Sequence, residues 1–379
     1  MSVRILIIVM MMMSGVCSAA APEILASSAI MIESTTGRVI YEKNADERRA
    51  PASMTKMMTC ILGLEQLPSS QEVLITPEAA SAEDNTFKWR AGERIRADEL
   101  LMGMMTVSDN GAAIAIAQAI RGSVRGFAEL MNEKAQELGC TDTHFANPNG
   151  LPNNNHYSTA RDMARIAYYG MSDRRFREIV ATKKDIMNWS APADKWEEAE
   201  NTNELLYLTD GKYGYKGANG IKTGWTSAAG GCLAASAQRG DTELIVIIMN
   251  SPDVYTRFED ARKLLDYGFS QVKMTKGLNR ERVEKVVFVK GGKDWIVHAA
   301  PAADLRFPLL EGESMKLLKV SYELPKIVEA RVDKGKVLGN AKLKYNGEVV
   351  AQVAMVAAER VEKGFSVKSL MVNVLQYFV

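Results

Sequence analysis

Ser53 and Lys56 have the residue types and the spacing that an activated serine requires. A serine hydroxyl is a weak nucleophile near neutral pH, and it needs an adjacent base to take its proton. Helical residues three apart lie on the same face, so the lysine amine can reach the hydroxyl. The amine acts as a base only if burial or a second cation lowers its pKa from about 10.4. Ser53-Met54-Thr55-Lys56 is therefore compatible with a serine nucleophile, although many helices contain this spacing by chance.

Two further polar groups stand at predicted element boundaries. Ser108-Asp109-Asn110 lies between the apolar run 100–107 and a predicted helix beginning at Gly111, where polar residues usually cap the helix. Lys222-Thr223-Gly224 ends a predicted strand, and a glycine there lets another chain run close to the strand backbone. The lysine offers a cation, and the threonine hydroxyl can bind a carboxylate. Each group alone has an ordinary structural explanation, so the interpretation depends on finding them together.

The order of the three groups resembles that of penicillin-binding proteins and class A β-lactamases, which carry S-x-x-K, S-D-N and K-T-G. Each group falls in the matching context of a helix start, a helix junction and a strand end. Their surroundings resemble the D-alanyl-D-alanine carboxypeptidases, which are low-molecular-mass penicillin-binding proteins. The stretches that carry this resemblance are F-A-N-P-N-G-L at 145–151, H-Y-S-T-A-R-D at 156–162, N-T-N-E-L-L at 201–206, G-I-K-T-G-W-T at 220–226 and A-G at 229–230. The resemblance extends over nearly the whole chain.

The resemblance implies a catalytic role for five residues. Ser53 would be the acylated nucleophile and Lys56 its general base. Ser108 would relay a proton to the leaving amine, and Asn110 would hold a substrate backbone amide. The backbone N–H groups of Ser53 and Trp225 would form the oxyanion hole, which elsewhere contributes about 3–4 kcal/mol per donor.

A second set of residues would bind the carboxylate end of the substrate. Lys222 would supply positive potential that attracts the carboxylate and keeps Lys56 less protonated. Thr223 would donate a hydrogen bond to the carboxylate, beside Gly224. Arg257 matches a family arginine near the carboxylate, and a charge on a surface helix explains it equally well. No residue is predicted to bind a metal ion or a cofactor.

Two positions depart from the family pattern. Thr202 stands where relatives can place an arginine, so part of the carboxylate recognition differs. Trp225 stands where some relatives have a histidine, which keeps the backbone donor and changes the pocket wall. His144 and His156 flank the N-P-N-G loop and are interpreted as structural.

The activity implied by the resemblance is removal of the terminal D-alanine from peptidoglycan stem pentapeptides, with β-lactam antibiotics acting as covalent inhibitors. A β-lactamase of the same fold is one alternative, but class A members need a glutamate within E-x-x-L-N, and the sequence has no such stretch. A D,D-endopeptidase shares the catalytic residues and differs in what its cleft admits. A non-catalytic protein that binds the cell wall is an alternative outside the enzymes. A lysine base beside a serine hydroxyl counts against this alternative, because a binding module has no use for it.

The composition is that of a soluble globular protein of more than one domain. The chain has 379 residues, of which 47% are hydrophobic and 25% charged. Its net charge of +1 provides no field that would recruit nucleic acid. Three histidines and four scattered cysteines leave little material for a metal site. We expect Cys60, Cys140 and Cys232 to be buried thiols.

The pattern before residue 270 predicts an α+β domain with the fold of penicillin-binding proteins and β-lactamases, an antiparallel sheet with a helical region. Strand signals at 29–32 and 38–41 read as a hairpin. Apolar residues at helical spacing follow. The predicted helices are 53–67, 98–105, 111–120, 126–138, 159–169 and 173–180. Strand signals return at 220–223, 231–237 and 244–249, before a helix at 253–267, so one sheet should unite both ends of the domain.

Residues 271–363 predict a small all-β domain, a sandwich or a barrel. Short alternating runs occur at 286–289, 317–322, 327–332, 342–345 and 349–356, separated by turn pairs such as Asn346-Gly347. The segment has 18 basic and 12 acidic residues. That balance suits a spacer above an anionic membrane surface, and an ordinary solvated surface explains it equally well.

The two ends predict export and attachment to a membrane. Residues 1–21 have a cation at Arg4, an apolar run at 5–13 and small residues at 14–21, as in a cleavable export signal. Apolar residues recur at helical spacing in 365–379. This spacing predicts that residues 364–379 form an amphipathic helix that lies in the headgroup region of a membrane. A helix docked on its own domain is the alternative. The predicted catalytic domain, 22–270, would then lie in the periplasm or at the outer face of the cytoplasmic membrane.

Overall fold

The structure is a computed structural model that describes residues 21–187, 197–209 and 211–367. The predicted export signal lies almost entirely outside the described residues, and so does most of the predicted C-terminal helix. At the end of the described chain, Phe365 and Val367 expose most of their side chains. Within the described ranges, no helix combines the length and the apolar character needed to cross a bilayer.

The chain up to residue 271 combines helices with an antiparallel sheet. Its strands are β1 Ser28–Glu33, β2 Val39–Lys43, β3 Glu72–Leu74, β4 Arg94–Arg96, β5 Lys184–Met187, β6 Glu197–Glu200, β7 Ala218–Thr226, β8 Gly230–Arg239 and β9 Thr242–Ser251. Its α-helices are α1 Lys56–Gln66, α2 Pro77–Ala80, α3 Ala97–Thr106, α4 Asn110–Arg121, α5 Val124–Glu137, α6 Ala160–Gly170, α7 Arg174–Ala181 and α8 Thr256–Gln271. Short 3₁₀ helices cover Ala52–Thr55 and Glu204–Leu206.

Five strands form the main sheet in the order β2-β1-β9-β8-β7, with every neighbouring pair antiparallel. The predicted union of N-terminal and C-terminal strands in one sheet is confirmed. Strand β9 is buried on both faces because helices cover both. Its residues alternate between two cores, with Ile247 facing the helical region and Val246 facing the side of α8. Strand β7 is left at the edge of the sheet.

Helix α1 runs through the core of the helical region. All residues from Lys56 to Leu64 are buried, so the helix has no solvent face along most of its length. It packs against α3, α4 and α6. The fold therefore carries a lysine into the protein interior, where an ammonium group is costly.

The strand that carries K-T-G is longer than predicted. Strand β7 continues to Thr226 because its pairing with β8 continues, with Gly224 opposite Cys232 and Trp225 opposite Gly231. Lys222-Thr223-Gly224 consequently lies inside an edge strand. The predicted hairpin and the predicted helices are present, with ends shifted by a few residues.

Residues 272–357 are all β, as predicted. The strands are β10 Val272–Leu278, β11 Lys285–Lys290, β12 Ile296–Pro301, β13 Leu305–Leu310, β14 Leu318–Glu323, β15 Ile327–Glu329, β16 Val337–Tyr345 and β17 Glu348–Ala357. A 3₁₀ helix covers Met315–Leu317. Six strands form one sheet in the order β14-β16-β17-β12-β11-β15, and β10 pairs with β13. Three strands, β10, β12 and β13, were not predicted, since Gly277, Pro301 and Pro308 interrupt their strand signals.

Candidate active site

Lys56 lies at the centre of the predicted catalytic residues. It is the first residue of α1, directly after the 3₁₀ turn that carries Ser53, and it is fully buried. Its Nζ lies 3.0 Å from Ser53 Oγ and 3.3 Å from Ser108 Oγ. It also lies 2.7 Å from Asn110 Oδ1 and 2.9 Å from the backbone oxygen of Asn149. The amine thus contacts three residues that were predicted to be catalytic and a fourth, Asn149, to which the sequence analysis assigned no role.

The interior makes this amine a base near neutral pH. Burial lowers the pKa of Lys56 from 10.5 to about 7, and the carboxylates of Asp109 and Asp84 oppose the shift. At neutral pH a large share of the molecules therefore holds Lys56 uncharged. This is the protonation state that can take a proton from Ser53.

The contacts of the uncharged amine also fix its orientation. An amine has two N–H groups and one lone pair, whereas Asn110 Oδ1 and the Asn149 carbonyl can only accept. Asn110 Nδ2 donates to Glu83 O at 2.8 Å, which turns its Oδ1 toward the lysine. If both N–H groups of Lys56 donate to these two oxygens, its lone pair remains for the hydroxyl proton of Ser53.

Asp109 caps helix α4, while its two neighbours face the lysine. Its Oδ1 accepts from the backbone N–H of Ala112 at 2.7 Å and from Trp89 Nε1 at 2.9 Å. The capping explanation of this motif is confirmed for Asp109 alone. Ser108 adopts a left-handed backbone with φ of 66°. Such a conformation is strained for a residue with a side chain, and strain of this kind concentrates at functional sites.

Strand β7 runs beside the turn that carries the serine. A Cβ added at Gly224 would lie 3.0 Å from the backbone nitrogen of Ser53, so any larger residue would force the two backbones to shift apart. Lys222 is buried, and its Nζ donates to Thr223 O at 3.1 Å. Burial, followed by the charges of Lys56 and Arg257, lowers the pKa of Lys222. The charge of Lys56 therefore contributes to the lowered pKa of Lys222, whereas the predicted effect of Lys222 on the protonation of Lys56 stays a prediction.

Trp225 lies near the end of the same strand, and Arg257, on helix α8, contacts the strand beside it. Arg257 Nη1 donates to the backbone oxygens of Gly224 at 2.7 Å and Cys232 at 3.3 Å, so it fastens β7 to β8. Burial lowers its pKa to about 10, so it keeps its charge at neutral pH. The side chain of Trp225 is 56% exposed. Direct contact of Arg257 with a substrate carboxylate stays a prediction.

The loop between α5 and α6 was part of the sequence resemblance, but no catalytic contact was assigned to it. Asn149 offers its backbone oxygen to Lys56, and Thr59 Oγ1 donates to Pro148 O at 2.6 Å. Gly150 has a φ of 88°, and a Cβ there would lie 2.0 Å from Ala52 O. The loop is thus pressed against the turn that carries Ser53. A backbone oxygen has no residue-type signal, which is why the sequence did not reveal this contact.

His156 fixes the loop to the turn. Its Nδ1 accepts from the backbone N–H of Ala146 at 3.1 Å, and its Nε2 lies 2.8 Å from Thr55 Oγ1. Burial lowers its pKa to about 4, so the ring is neutral at physiological pH. Because Nδ1 accepts, Nε2 carries the proton and donates to Thr55. His144 instead lies at the surface.

The cysteines of the described residues lie in the protein interior. Cys60, Cys140 and Cys232 are free and buried, as predicted. Burial raises the pKa of the Cys232 thiol to about 11. Within residues 21–187, 197–209 and 211–367, no three or more His, Cys, Asp or Glu side chains are grouped to hold a metal ion.

The chain matches known protein families along both of its parts. A sequence model of D-alanyl-D-alanine carboxypeptidase, peptidase family S11, matches residues 16–253. A model of the C-terminal domain of penicillin-binding protein 5 matches residues 273–363. The chain belongs to the D-alanyl-D-alanine carboxypeptidase family of serine peptidases.

Individual relatives agree with this assignment. The D-alanyl-D-alanine carboxypeptidase DacF of Bacillus subtilis is 34% identical over 343 residues, which cover 89% of this chain and 86% of the relative. DacC of Escherichia coli is 29% identical over 360 residues, which cover 91% of this chain and 86% of the relative. The crystal structure of penicillin-binding protein 5 from Haemophilus influenzae has a TM-score of 0.68 at 28% identity, covering 90% of this chain and 99% of that one.

Proposed function

We propose that this protein removes the terminal D-alanine from peptidoglycan stem pentapeptides through an acyl-enzyme on Ser53. The observation that carries the proposal is the buried Lys56 amine, 3.0 Å from the Ser53 hydroxyl, with two carbonyl acceptors for its N–H groups. A buried, uncharged amine in that position can activate a serine nucleophile. A non-catalytic wall-binding protein would not need such an amine.

In the acylation step, Ser53 Oγ attacks the carbonyl carbon of the penultimate D-alanine, and Lys56 takes the hydroxyl proton. The backbone N–H groups of Ser53 and Trp225 would stabilise the oxyanion. The substrate would extend along the open edge of β7, with its carboxylate at Thr223 and Lys222 close by. The negative charge of the carboxylate would favour the protonated form of this lysine against the effect of burial. The oxygen and the nitrogen of the Asn110 amide group each already have a hydrogen-bond partner, so we assign this residue mainly to orienting Lys56. Only the second hydrogen of Nδ2 is left to bind the substrate.

Collapse of the tetrahedral intermediate breaks the peptide C–N bond. The proton held by Lys56 passes through the Ser108 hydroxyl to the departing amine, and free D-alanine leaves. The remaining peptide is then an ester of Ser53. Water attacks the carbonyl carbon of this ester and gives a proton to the same base. The bond from that carbon to Ser53 Oγ then breaks, Oγ regains the proton from Lys56, and the shortened peptide leaves with a free carboxylate. A β-lactam would acylate Ser53 in the same way, but its broken amide stays tethered to the adduct.

The proposal extends to location. We infer that the protein is exported and held at the outer face of the cytoplasmic membrane by the C-terminal amphipathic helix. The support is the sequence pattern of 1–21 and 365–379 together with the exposed Phe365 and Val367. The basic balance of residues 271–363 suits a position above anionic lipid.

The test uses a labelled penicillin and a pentapeptide ending in D-Ala-D-Ala, with native protein and Ser53→Ala. The proposal predicts a long-lived adduct and released D-alanine, both absent from the variant. Rapid penicillin turnover without D-alanine release would identify a β-lactamase. An adduct with cleavage only of cross-linked dimers would identify an endopeptidase. Absence of any adduct would leave the wall-binding protein.

A further inference from the structure

Thr202 places a second hydroxyl beside the predicted carboxylate-binding residue. Its Oγ1 lies 2.6 Å from Thr223 Oγ1. Thr223 is buried in β7, whereas Thr202 is exposed on the adjoining loop. The two hydroxyls meet across the edge of β7 that Gly224 keeps close to Ser53.

The fold holds the backbone of Thr202 in place. Its N–H donates to Thr106 O at 3.1 Å, at the end of helix α3. The neighbours on both sides are buried amides, with Asn201 Nδ2 donating to Thr182 O and Asn203 Nδ2 donating to Gly220 O, each at 2.8 Å. These anchors hold the backbone of Thr202 at a position from which its hydroxyl reaches Thr223.

A bound carboxylate decides the direction of the hydrogen bond between the hydroxyls. A carboxylate only accepts, so Thr223 must use its single hydrogen to bind it. Thr223 Oγ1 then serves as the acceptor for Thr202. In the absence of a carboxylate, Thr202 has another acceptor, Thr106 O at 3.4 Å, and Thr223 can donate to Thr202.

We propose that Thr202 is a positioning residue that makes the site selective for ligands with a free carboxylate. By donating to Thr223, it orients the Thr223 hydrogen toward the ligand and strengthens that bond through polarisation. The inference rests on the proposed function, since it assumes that ligands acylate Ser53.

The experiment compares Thr202→Val, which removes the hydroxyl at nearly constant shape, with Thr202→Ser, which keeps it. The acylation rate is measured by intact mass with benzylpenicillin, which has a free carboxylate, and with its methyl ester, which does not. We expect the acid-to-ester rate ratio to fall about fivefold in the valine variant, the effect of one neutral hydrogen bond. The serine variant should keep the native ratio.

The outcomes separate the two proposals. If the native protein forms an adduct but the valine variant keeps the native ratio, the role of Thr202 is refuted while the proposed function stands. Equal losses with acid and ester, or a serine variant as impaired as the valine one, would also refute it, because the hydroxyl would then have no specific part. If the native protein forms no adduct with benzylpenicillin, the proposed function itself fails.

Discussion

At the scale of single residues, the proposed chemistry depends on Lys56 and its contacts. The family resemblance assigned catalytic roles to Ser53, Ser108 and Asn110, and all three contact the amine. The sequence did not predict the Asn149 oxygen, because any residue type carries the same carbonyl. The sequence also did not predict the hydrogen bond between the hydroxyls of Thr202 and Thr223, because the fold of the loop that carries Thr202 brings the two side chains together.

Lys56→Arg tests whether the amine acts as a base or only as a donor. A guanidinium keeps its proton in proteins, so it can donate to Asn110 and Asn149 but cannot take the serine proton. We expect acylation by benzylpenicillin to fall about 10²–10⁴-fold. Lys216→Arg, at an exposed position, is the matched control and should acylate like the native protein. Native-like acylation by Lys56→Arg would show that another group removes the proton.

At the scale of elements, the site depends on three backbones packed closely together. The turn with Ser53, strand β7 and the loop with Asn149 approach each other where Gly224 and Gly150 leave room. Periodicity predicted the five strands of the main sheet and the α-helices other than α2, but not strands β3 to β6. The glycine of K-T-G indicated a close approach, but which backbone approaches it depends on tertiary packing. The extra length of β7 was missed for the same reason, because pairing with β8 sets it.

His156→Gln should loosen the loop from the turn. The change disturbs buried hydrogen bonds with Ala146 and Thr55, so the free energy of unfolding should fall by about 1–3 kcal/mol. Urea unfolding measures it, and acylation should slow in parallel as the Asn149 oxygen shifts. His144→Gln is the control, because that ring is exposed. Equal stability of the two variants would contradict this role of His156.

The same histidine predicts a pH dependence of stability. Its pKa is about 4 when folded and 6.5 when free, so the unfolded chain binds more protons between these values. This contribution is complete above pH 6.5 and is lost as the pH falls through about 4. The native protein should therefore lose stability over this range more steeply than His156→Gln in urea titrations. Parallel curves would contradict the low pKa.

At the scale of the whole molecule, the two parts of the chain touch through the hairpin of β1 and β2. Arg38 Nη1 donates to Pro308 O at 2.6 Å and to Glu313 Oε2 at 2.7 Å, and its guanidinium lies 5.0 Å from the centre of the Phe307 ring. Helix α8 ends at Gln271 and β10 begins at Val272, so we propose the domain boundary there. The change from helical to alternating patterning made that boundary visible in the sequence.

Removal of residues 365–379 tests the attachment of the whole molecule to the membrane. We expect the truncated protein to leave the membrane fraction and to keep its release of D-alanine, because the proposed catalytic residues all lie before residue 271. Fractionation after export, with the full-length chain beside it, measures the change. A truncated protein that remained membrane-bound would contradict the interfacial helix.

The most direct test of the account is the pKa of Lys56 itself. Side-chain NMR of lysine labelled with ¹³C at Cε follows each amine through a pH titration, and the signal missing from Lys56→Arg identifies residue 56. We predict that this signal titrates at about 7. A midpoint at the ordinary lysine value, about 10.4, would mean a charged amine at neutral pH, which cannot activate Ser53.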